Sequence, residues 1–237
     1  MNYRRSDPSL ARTPSNKAPK HTATRVVVIG LGRFGGSLAR ELVSLGSEVL
    51  AIDSDPRLVQ QFSDELTHVA VADTTDRDAL EQLGVRGFPH AVVGIGSDLE
   101  ASILTTSLLV DFEIPRIWAK ATSRQHGTIL ERIGAHRVVL PEFDMGERIA
   151  HLVTGRMLDY IEFDDNYAMV RTSAPTAVVG MTLTESGLRQ HHNVTVVAIK
   201  RPGRQFTYAT ADTVIGAGDQ LIVSGTVRCV ERFADLE

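Results

Sequence analysis

The fold of this chain is decided by residues 26–36, which read Val-Val-Val-Ile-Gly-Leu-Gly-Arg-Phe-Gly-Gly. The run of β-branched residues predicts a buried strand, and apolar residues then recur at helical spacing, at Phe34, Leu38, Leu42 and Leu45. The glycines have the spacing G-x-G-x-x-G: Gly30 allows a tight turn, Gly32 lets backbone N–H groups approach a phosphate, and Gly35 lets helix pack on strand. We therefore expect a nucleotide site at this helix start. The alternative is a plain strand–turn–helix whose glycines only relieve packing.

Composition limits the classes of protein to consider. The chain has 237 residues, 43% of them hydrophobic and 23% charged, with a net charge of −4, which is ordinary for a globular protein with a proper core. The single cysteine, Cys229, excludes an internal disulfide framework. Apolar runs are too short to span a bilayer. The predicted folded part has no basic block, so we expect no nucleic-acid partner.

From Arg25 onward, strand-like and helical patterns alternate. The predicted strands are Val26–Ile29, Glu48–Ile52, His68–Ala72, Ala91–Ile95, Arg116–Ala119 and Arg137–Leu140. The predicted helices between them are Phe34–Leu45, Arg57–Leu66, Asp76–Leu83, Leu99–Phe112 and Arg124–Ile133. This alternation predicts an α/β domain with a Rossmann-type doubly wound parallel sheet over residues 25–142. The preceding residues 1–24 are basic and rich in proline and serine, and we expect a disordered tail.

After this domain the pattern changes. Residues 143–159 predict a further helix, Asp144–Leu158, whose wide apolar stripe fits either the edge of the sheet or a second subunit. Residues 160–237 predict a small α+β domain. Its expected elements are strands Tyr167–Arg171, Thr195–Lys200 and Gln220–Ser224 and one short helix, Leu183–His191.

Candidate ligand-binding residues follow the predicted strands, because the carboxyl ends of parallel strands form one edge of a sheet. Asp53 ends the second strand, where a carboxylate accepts the ribose hydroxyls of an adenosine and repels a 2′-phosphate. Asp73 is expected at the adenine, Lys120 at the phosphates and Glu142 at a divalent cation. An ordinary loop charge is the alternative for each of these three. The full set predicted to bind the nucleotide is Gly30, Leu31, Gly32, Arg33, Phe34, Gly35, Asp53, Ser54, Ala72, Asp73, Gly94, Ile95, Gly96 and Lys120.

Arg33 is unusual inside such a loop. Its guanidinium would supply charge to a further phosphate, in its own site or in that of a neighbouring subunit, or it points into solvent. Motifs for catalysis are missing from the sequence, with no G-x-S-x-G, H-E-x-x-H or C-x-x-C. Histidines such as His126 and His136 are expected to be packed or solvated. The residues therefore give few signs of catalysis.

Several dispersed motifs resemble the cytosolic RCK (KTN) subunits of Ktr/Trk potassium-uptake systems, which combine TrkA-N and TrkA-C domains. Besides the glycine loop and Val49–Asp53, the matching stretches are Ile117–Lys120, Leu130–Ala135, Pro141–Gly146 and Val196–Lys200. The resemblance implies a non-enzymatic gating subunit, cytoplasmic and peripheral at the inner face of the membrane. It would form dimers that assemble into an octameric ring and act on a membrane potassium-transporter pore subunit.

The resemblance also implies ligands. It favours ATP or ADP, or NAD(H), at the Rossmann site, with Arg33 sensing the terminal phosphate across the dimer. It implies a divalent cation (Mg or Ca) held by Glu142, and cyclic di-AMP at a C-terminal site around Arg189, Asn193, Val196 and Val197. Residues 208–211, Tyr-Ala-Thr-Ala, replace a proline-containing stretch of the family there. Two other hypotheses stay open: a small NAD-dependent oxidoreductase, and a nucleotide sensor with a soluble partner.

Overall fold

The computed structural model describes residues 23–153, 157–164 and 166–236. The chain forms two compact units, which divide between Val139 and Leu140. The first unit contains a six-stranded parallel sheet of order β3-β2-β1-β4-β5-β6. Its strands are β1 (Arg25–Ile29), β2 (Glu48–Asp53), β3 (His68–Val71), β4 (His90–Val93), β5 (Arg116–Lys120) and β6 (Arg137–Val139). The predicted Rossmann-type sheet is confirmed.

Helices connect these strands in turn, and local side chains set where most of them begin. They are α1 (Arg33–Ser44), α2 (Pro56–Phe62), α3 (Arg77–Gln82), α4 (Leu99–Asp111) and α5 (Arg124–Arg132). A side-chain oxygen accepts a backbone N–H at the start of four of them, from Asp55, Asp76, Asp98 and Ser123, as expected for N-caps. Turns after α1, α3 and α5 contain glycines with positive φ: Gly46, Gly84 and Gly134.

The core of the first unit lies on the middle strands. Val27 and Val28 of β1 and Ala51 and Ile52 of β2 are fully buried, because helices cover both faces of these strands. One cluster packs Val28 and Val49 against Ala39 and Phe62 of the helices α1 and α2. This packing anchors the ends of β1 and β2, where the predicted site residues lie.

The second unit contains a five-stranded antiparallel sheet of order β10-β9-β11-β8-β7. Its strands are β7 (Asp159–Asp164), β8 (Tyr167–Ser173), β9 (Val194–Lys200), β10 (Thr207–Tyr208) and β11 (Gln220–Thr226). Its helices are α6 (Pro141–Val153), α7 (Leu183–Ser186), α8 (Leu188–His192) and α9 (Val227–Ala234). A buried cluster that includes Leu221, Val230 and Phe233 forms its core. The predicted small α+β domain is confirmed as a fold.

Details of the second unit differ from the sequence prediction. The helix predicted to reach Leu158 is wrong at its end, because the Leu158 N–H donates to the Arg171 carbonyl of β8 at 2.7 Å and leads into β7. The single helix expected at Leu183–His191 is two short helices, since Gly187 has a φ of 60° and interrupts it. The prediction missed β7, β10 and α9.

The predicted domain boundaries at residues 142 and 159 stay predictions. The disordered tail expected for residues 1–24 falls almost wholly outside the described residues. Of that tail, Thr24 already belongs to the fold, because its carbonyl accepts the Glu48 N–H at 3.0 Å. In the described part, no helix is long and apolar enough to cross a membrane.

Two isomeric side chains on α5 test how the first unit is stabilised. Leu130 is fully buried and its neighbour Ile129 is 39% exposed. We expect Leu130→Ala to lower the stability by about 2–5 kcal/mol, because it leaves a cavity in the core, and Ile129→Ala to cost less than about 1 kcal/mol. Thermal unfolding followed by circular dichroism measures both. Equal shifts of the melting temperature would contradict this packing.

Candidate functional site

The glycine loop between β1 and α1 is held in place by close packing. Gly30 has a φ of 91°, a conformation that favours glycine. A Cβ at Gly35 would overlap the Gly30 carbonyl oxygen, and one at Gly36 would overlap the Phe62 ring. Gly32 differs from them, because a Cβ there would have no protein atom within 4 Å. Gly32 is exposed, so its surface faces open space.

The start of α1 has unpaired donors. In the first unit as described, α2, α3, α4 and α5 begin at side-chain caps, whereas no side chain caps α1, whose N-cap is Gly32. The first intrahelical bond runs from the Gly36 N–H to the Gly32 carbonyl at 2.8 Å. The N–H groups of Arg33, Phe34 and Gly35 therefore precede the helical ladder. Such an end favours an anion through its N–H groups and its dipole.

Asp53 ties β2 to the glycine loop. Its Oδ2 accepts the Leu31 N–H at 2.6 Å, and its Oδ1 accepts the Asp55 N–H at 2.8 Å. Each carboxylate oxygen has two acceptor positions, so both oxygens retain capacity for another donor. Asp53 is half-buried at the carboxyl end of its strand. Asp53 is therefore not a freely solvated carboxylate, and any ligand role would come in addition to its role in shaping the loop.

Two cations belong to this edge of the sheet. Arg33 is exposed at the first position of α1. Lys120 ends β5 and is only 9% exposed. Its Nζ lies 5.8 Å from the centroid of the Phe34 ring and 3.3 Å from where a Cβ at Gly96 would stand. The lysine is thus held between the first turn of α1 and the loop after β4, which gives this edge a fixed positive charge.

The residues after β2 and β3 lie next to each other. The Ala72 N–H donates to the Asp53 carbonyl at 3.1 Å, and Ser54 is exposed beside it. Asp73 follows Ala72, and its Oδ1 accepts the Thr75 hydroxyl at 2.7 Å and the Thr75 N–H at 2.9 Å. These bonds hold the pKa of the Asp73 carboxyl below its usual value, so the side chain is an anion at neutral pH.

The glycines after β4 contact protein atoms. The Gly94 N–H donates to the Ile29 carbonyl at 2.6 Å, and a Cβ there would stand 3.1 Å from the Gly30 carbonyl oxygen. Gly94 therefore lets β4 end against the glycine loop, while Gly96 leaves room for Lys120. Ile95, between them, is half-buried. We expected Gly94 and Gly96 to leave space for a ligand, and this packing is a further reason for glycine at both positions.

His126 lies in the first turn of α5, and the sequence pattern predicts no specific role for it. The side chain is 2% exposed, its Nδ1 accepts the Thr122 N–H at 3.3 Å, and Nε2 has no hydrogen-bond partner among the described residues. Burial lowers the pKa of His126, so the ring is neutral at pH 7. The only sequence signal was its place in an amphipathic helix.

Two predicted sites belong to the second unit. Glu142 is exposed in the first turn of α6, and within the described residues no group of three or more His, Cys, Asp or Glu side chains could hold a metal ion. Arg189 and Val196 line a cavity of about 410 Å³, with the Ala209–Ala211 segment opposite. Asn193 ends α8 in a left-handed conformation, and Val197 is 39% exposed on β9. The cavity volume suits a small ligand.

A doubly wound sheet with a glycine loop, followed by a small antiparallel domain, defines a Rossmann-type two-domain protein. Comparison with known proteins then gives the family. The family model described as the TrkA-N domain matches residues 26–141, and the one described as the TrkA-C domain matches residues 167–236.

Relatives match over nearly their whole length. The chain is 40% identical over 207 residues to Ktr system potassium uptake protein C of Bacillus subtilis, covering 87% of this chain and 94% of that one. It is 37% identical over 207 residues to Ktr system potassium uptake protein A of the same organism, covering 87% and 93%. The chain therefore belongs to the family of Ktr potassium uptake proteins with TrkA-N and TrkA-C domains.

A solved structure shares the fold. The RCK domain of GsuK aligns with a TM-score of 0.63 at 19% identity, over 92% of this chain and 48% of that one. The chain thus spans about half the length of that solved chain. The alignment supports the order of the two domains and the fold of each.

Alanine substitutions at two glycines of the loop distinguish a position that packs against protein atoms from one that faces open space. Gly35→Ala places a methyl group against the Gly30 carbonyl oxygen, and we expect a loss of about 3 kcal/mol or more. Gly32→Ala is the matched control, because open space surrounds that position and its extended backbone suits alanine. We expect a change within about 1 kcal/mol. Thermal unfolding distinguishes the two, and an equally stable Gly35→Ala variant would contradict the described loop.

His126 predicts a pH dependence of stability. Its folded-state pKa is lowered from 6.5, so the unfolded state binds more protons below about pH 6.5 and stability falls as the pH drops through that value. In His126→Asn, whose amide oxygen replaces Nδ1 as acceptor, we expect a smaller decrease of melting temperature between about pH 7.5 and pH 5.5.

The control for this prediction is His136→Asn. His136 is exposed and its Nδ1 likewise accepts a backbone N–H, from Ile117 at 3.1 Å. Its variant should retain the decrease of the wild type. The same decrease in His126→Asn as in the wild type would rule out the buried imidazole as its source.

Proposed function

We propose that this protein is the nucleotide-sensing regulatory subunit of a potassium-uptake transporter. It binds ATP or ADP, or NAD(H), at the edge formed by the glycine loop and Asp53, and it transmits a change of shape to a membrane pore subunit. Its relatives are named potassium uptake proteins, which supports a role in transport and not in catalysis. The observation that supports ligand binding at this edge is that no side chain caps the start of α1 and that open space surrounds Gly32.

The phosphates bind at the start of α1. Three backbone N–H groups there precede the helical ladder, and Gly32 allows an anion to approach them without meeting a side chain. Lys120 adds a buried positive charge at the same edge. Because the loop is fixed by Gly30 and Gly35, these donors are oriented before the ligand arrives, and the ordering cost at binding is small.

The adenosine binds toward β2 and β3. Asp53 accepts the ribose hydroxyls with the capacity that its two backbone bonds leave. Asp73, whose carboxyl pKa the bonds from Thr75 lower further, lies one strand further along and accepts from the adenine edge. A carboxylate at Asp53 also repels a 2′-phosphate, so NADP is a poor ligand. A structure of the GsuK channel bound to NAD, 24% identical with a TM-score of 0.50, illustrates such a ligand in a protein of this fold.

Arg33 distinguishes ATP from ADP. Its side chain is exposed beside the phosphate-binding donors, and in the described part of the chain no carboxylate forms an ion pair with it. A charge-assisted contact with a terminal phosphate is worth about 1.5–3 kcal/mol. A complete switch between two states, from 1:99 to 99:1, needs about 10⁴-fold difference in affinity. Arg33 supplies part of that difference, and repeated sites in an assembly multiply it.

The exposed apolar side chains of α6 support self-association of the chain. None of the described residues of this helix is buried, although four of its apolar side chains are 43–78% exposed: Phe143, Met145, Ile149 and Val153. Such a stripe fits a second copy of the chain. The dimers form an octameric ring, and Glu142 at the start of α6 helps to hold Mg²⁺ or Ca²⁺ with the nucleotide.

The ring acts from the cytoplasm, at the inner face of the membrane, through its pore subunit. Cyclic di-AMP is the second ligand of this proposal, in the cavity of about 410 Å³ between α8 and the 209–211 segment. Arg189 provides a cation for its phosphates. Residues 209–211 line this cavity, where the family pattern has a proline-containing stretch.

Calorimetric titration and solution scattering test the proposal. We expect ATP and ADP to bind the same site with different affinities and to give distinguishable scattering profiles. Arg33→Ala should narrow the ratio of the two affinities about tenfold or more, because only ATP carries the terminal phosphate. Arg116→Ala is the matched control, since Arg116 begins β5 at the opposite edge of the sheet.

Identical affinities and identical scattering with both nucleotides in the wild type would refute the sensor. Titration with NADH and cyclic di-AMP on the same preparation assigns the other ligands. The oxidoreductase hypothesis is tested by NADH turnover with small carbonyl compounds, and turnover abolished by one histidine substitution would favour it.

A further inference from the structure

One segment of the second unit has a charge opposite to that of the whole protein. The 26 residues from Ser186 to Ala211 contain no Asp or Glu and four Lys or Arg, in a chain of net charge −4. Three of these cations, Lys200, Arg201 and Arg204, lie where β9 turns into β10. We call residues 200–208 the basic hairpin. The prediction that the folded part has no basic block did not take this group into account, although its three cations lie within five residues of sequence.

The hairpin has a defined backbone. Thr207 pairs with Ile199 and Tyr208 with Ala198. At the turn, Gly203 has a φ of 71°, and the Arg204 N–H donates to the Arg201 carbonyl at 3.0 Å. Residues 201–208 are all exposed. The two arginines are therefore presented by an ordered turn at the edge of the sheet.

The cations of the hairpin are unpaired within the described residues. Several other arginines have carboxylate partners, in the pairs Arg40–Glu65, Arg77–Asp111, Arg86–Glu81 and Arg148–Asp159. No such pair includes Lys200, Arg201 or Arg204 in the described chain, and Lys200 instead lies 5.6 Å from the centroid of the Phe206 ring. An unneutralised triplet of cations attracts an anionic partner.

Aromatic side chains accompany these charges. Tyr208 is 91% exposed and Phe206 is 36% exposed. Rings with an apolar body and a polar tip, such as that of tyrosine, are enriched at the level of lipid headgroups. Cations beside exposed rings on a projecting turn fit a broad anionic surface better than they fit a pocket.

We propose that the basic hairpin docks on an anionic phospholipid surface. Lys200, Arg201 and Arg204 contact lipid phosphates, while the rings of Phe206 and Tyr208 lie among the headgroups. Each Lys or Arg near such a surface strengthens binding about fivefold, so one hairpin binds weakly and an assembly with several copies binds well. This inference goes beyond the proposed function and rests only on the hairpin, since it requires neither nucleotide nor pore subunit.

Flotation of the full chain with vesicles tests the docking. Vesicles of phosphatidylcholine mixed with phosphatidylglycerol should carry the protein at low salt, and vesicles of phosphatidylcholine alone should not. The double variant Arg201→Glu/Arg204→Glu should lower the partition coefficient at least about twentyfold. Tyr208→Ser should weaken binding at a salt concentration that screens the charges, because the ring contribution is not ionic.

The matched control is Arg116→Glu/Arg132→Glu, which reverses two exposed arginines of the first unit and should bind as the wild type does. Residues 1–22 are identical in all these proteins, so their own basic charge cancels in the comparison. Equal binding of the hairpin variant and the control variant would overturn the proposal. Displacement by inorganic phosphate at matched ionic strength would also overturn it, because the arginines would then recognise free phosphate. Since the assay contains no nucleotide, a failed nucleotide titration leaves its result unaffected.

Discussion

The first unit depends on the close approach of α1 to the end of β1. Gly35 lies so near the Gly30 carbonyl oxygen that a Cβ would overlap it, and the Gly94 N–H bonds to the Ile29 carbonyl from the next strand. Three chain segments therefore converge on one turn without side chains between them. This convergence brings the helix start to the sheet edge and leaves its first N–H groups directed outward, which is the geometry an anion needs.

Asp53 combines a structural role with the binding role that we propose for it. Its carboxylate fixes the loop through Leu31 and begins the next turn through Asp55, so the ribose and phosphate positions of the proposed complex share this side chain. A ligand that contacts Asp53 therefore contacts a group already coupled to the glycine loop. In the proposed complex, a shift at the ribose would be transmitted to the loop through one short hydrogen bond.

Much of the fold could be predicted because each element has a local signal. Alternating apolar strands and helices, capping residues such as Asp98 and the glycine turns all act within a few residues. The errors came where local signals were weak. Gly187 interrupts a helix that apolar spacing alone predicts to continue. Leu158 is held beside β8 by a hydrogen bond from its N–H to the carbonyl of Arg171, a residue 13 positions away in the chain. Whether the edge segments β7 and β10 form strands depends more on their pairing with β8 and β9 than on their own strand propensity.

The sequence by itself determined the order of strands and helices in the first unit, its doubly wound sheet and the edge at which most candidate ligand residues gather, because parallel strands separated by helices have few other ways to pack. Only the tertiary structure decided whether a given polar group is capped, buried or paired. It showed that α1 is the α-helix of the described first unit that lacks a side-chain cap, that Lys120 is buried, and that the cations of the basic hairpin have no carboxylate partner among the described residues. These properties depend on contacts between residues far apart in the chain, which no local pattern of apolar and charged residues specifies.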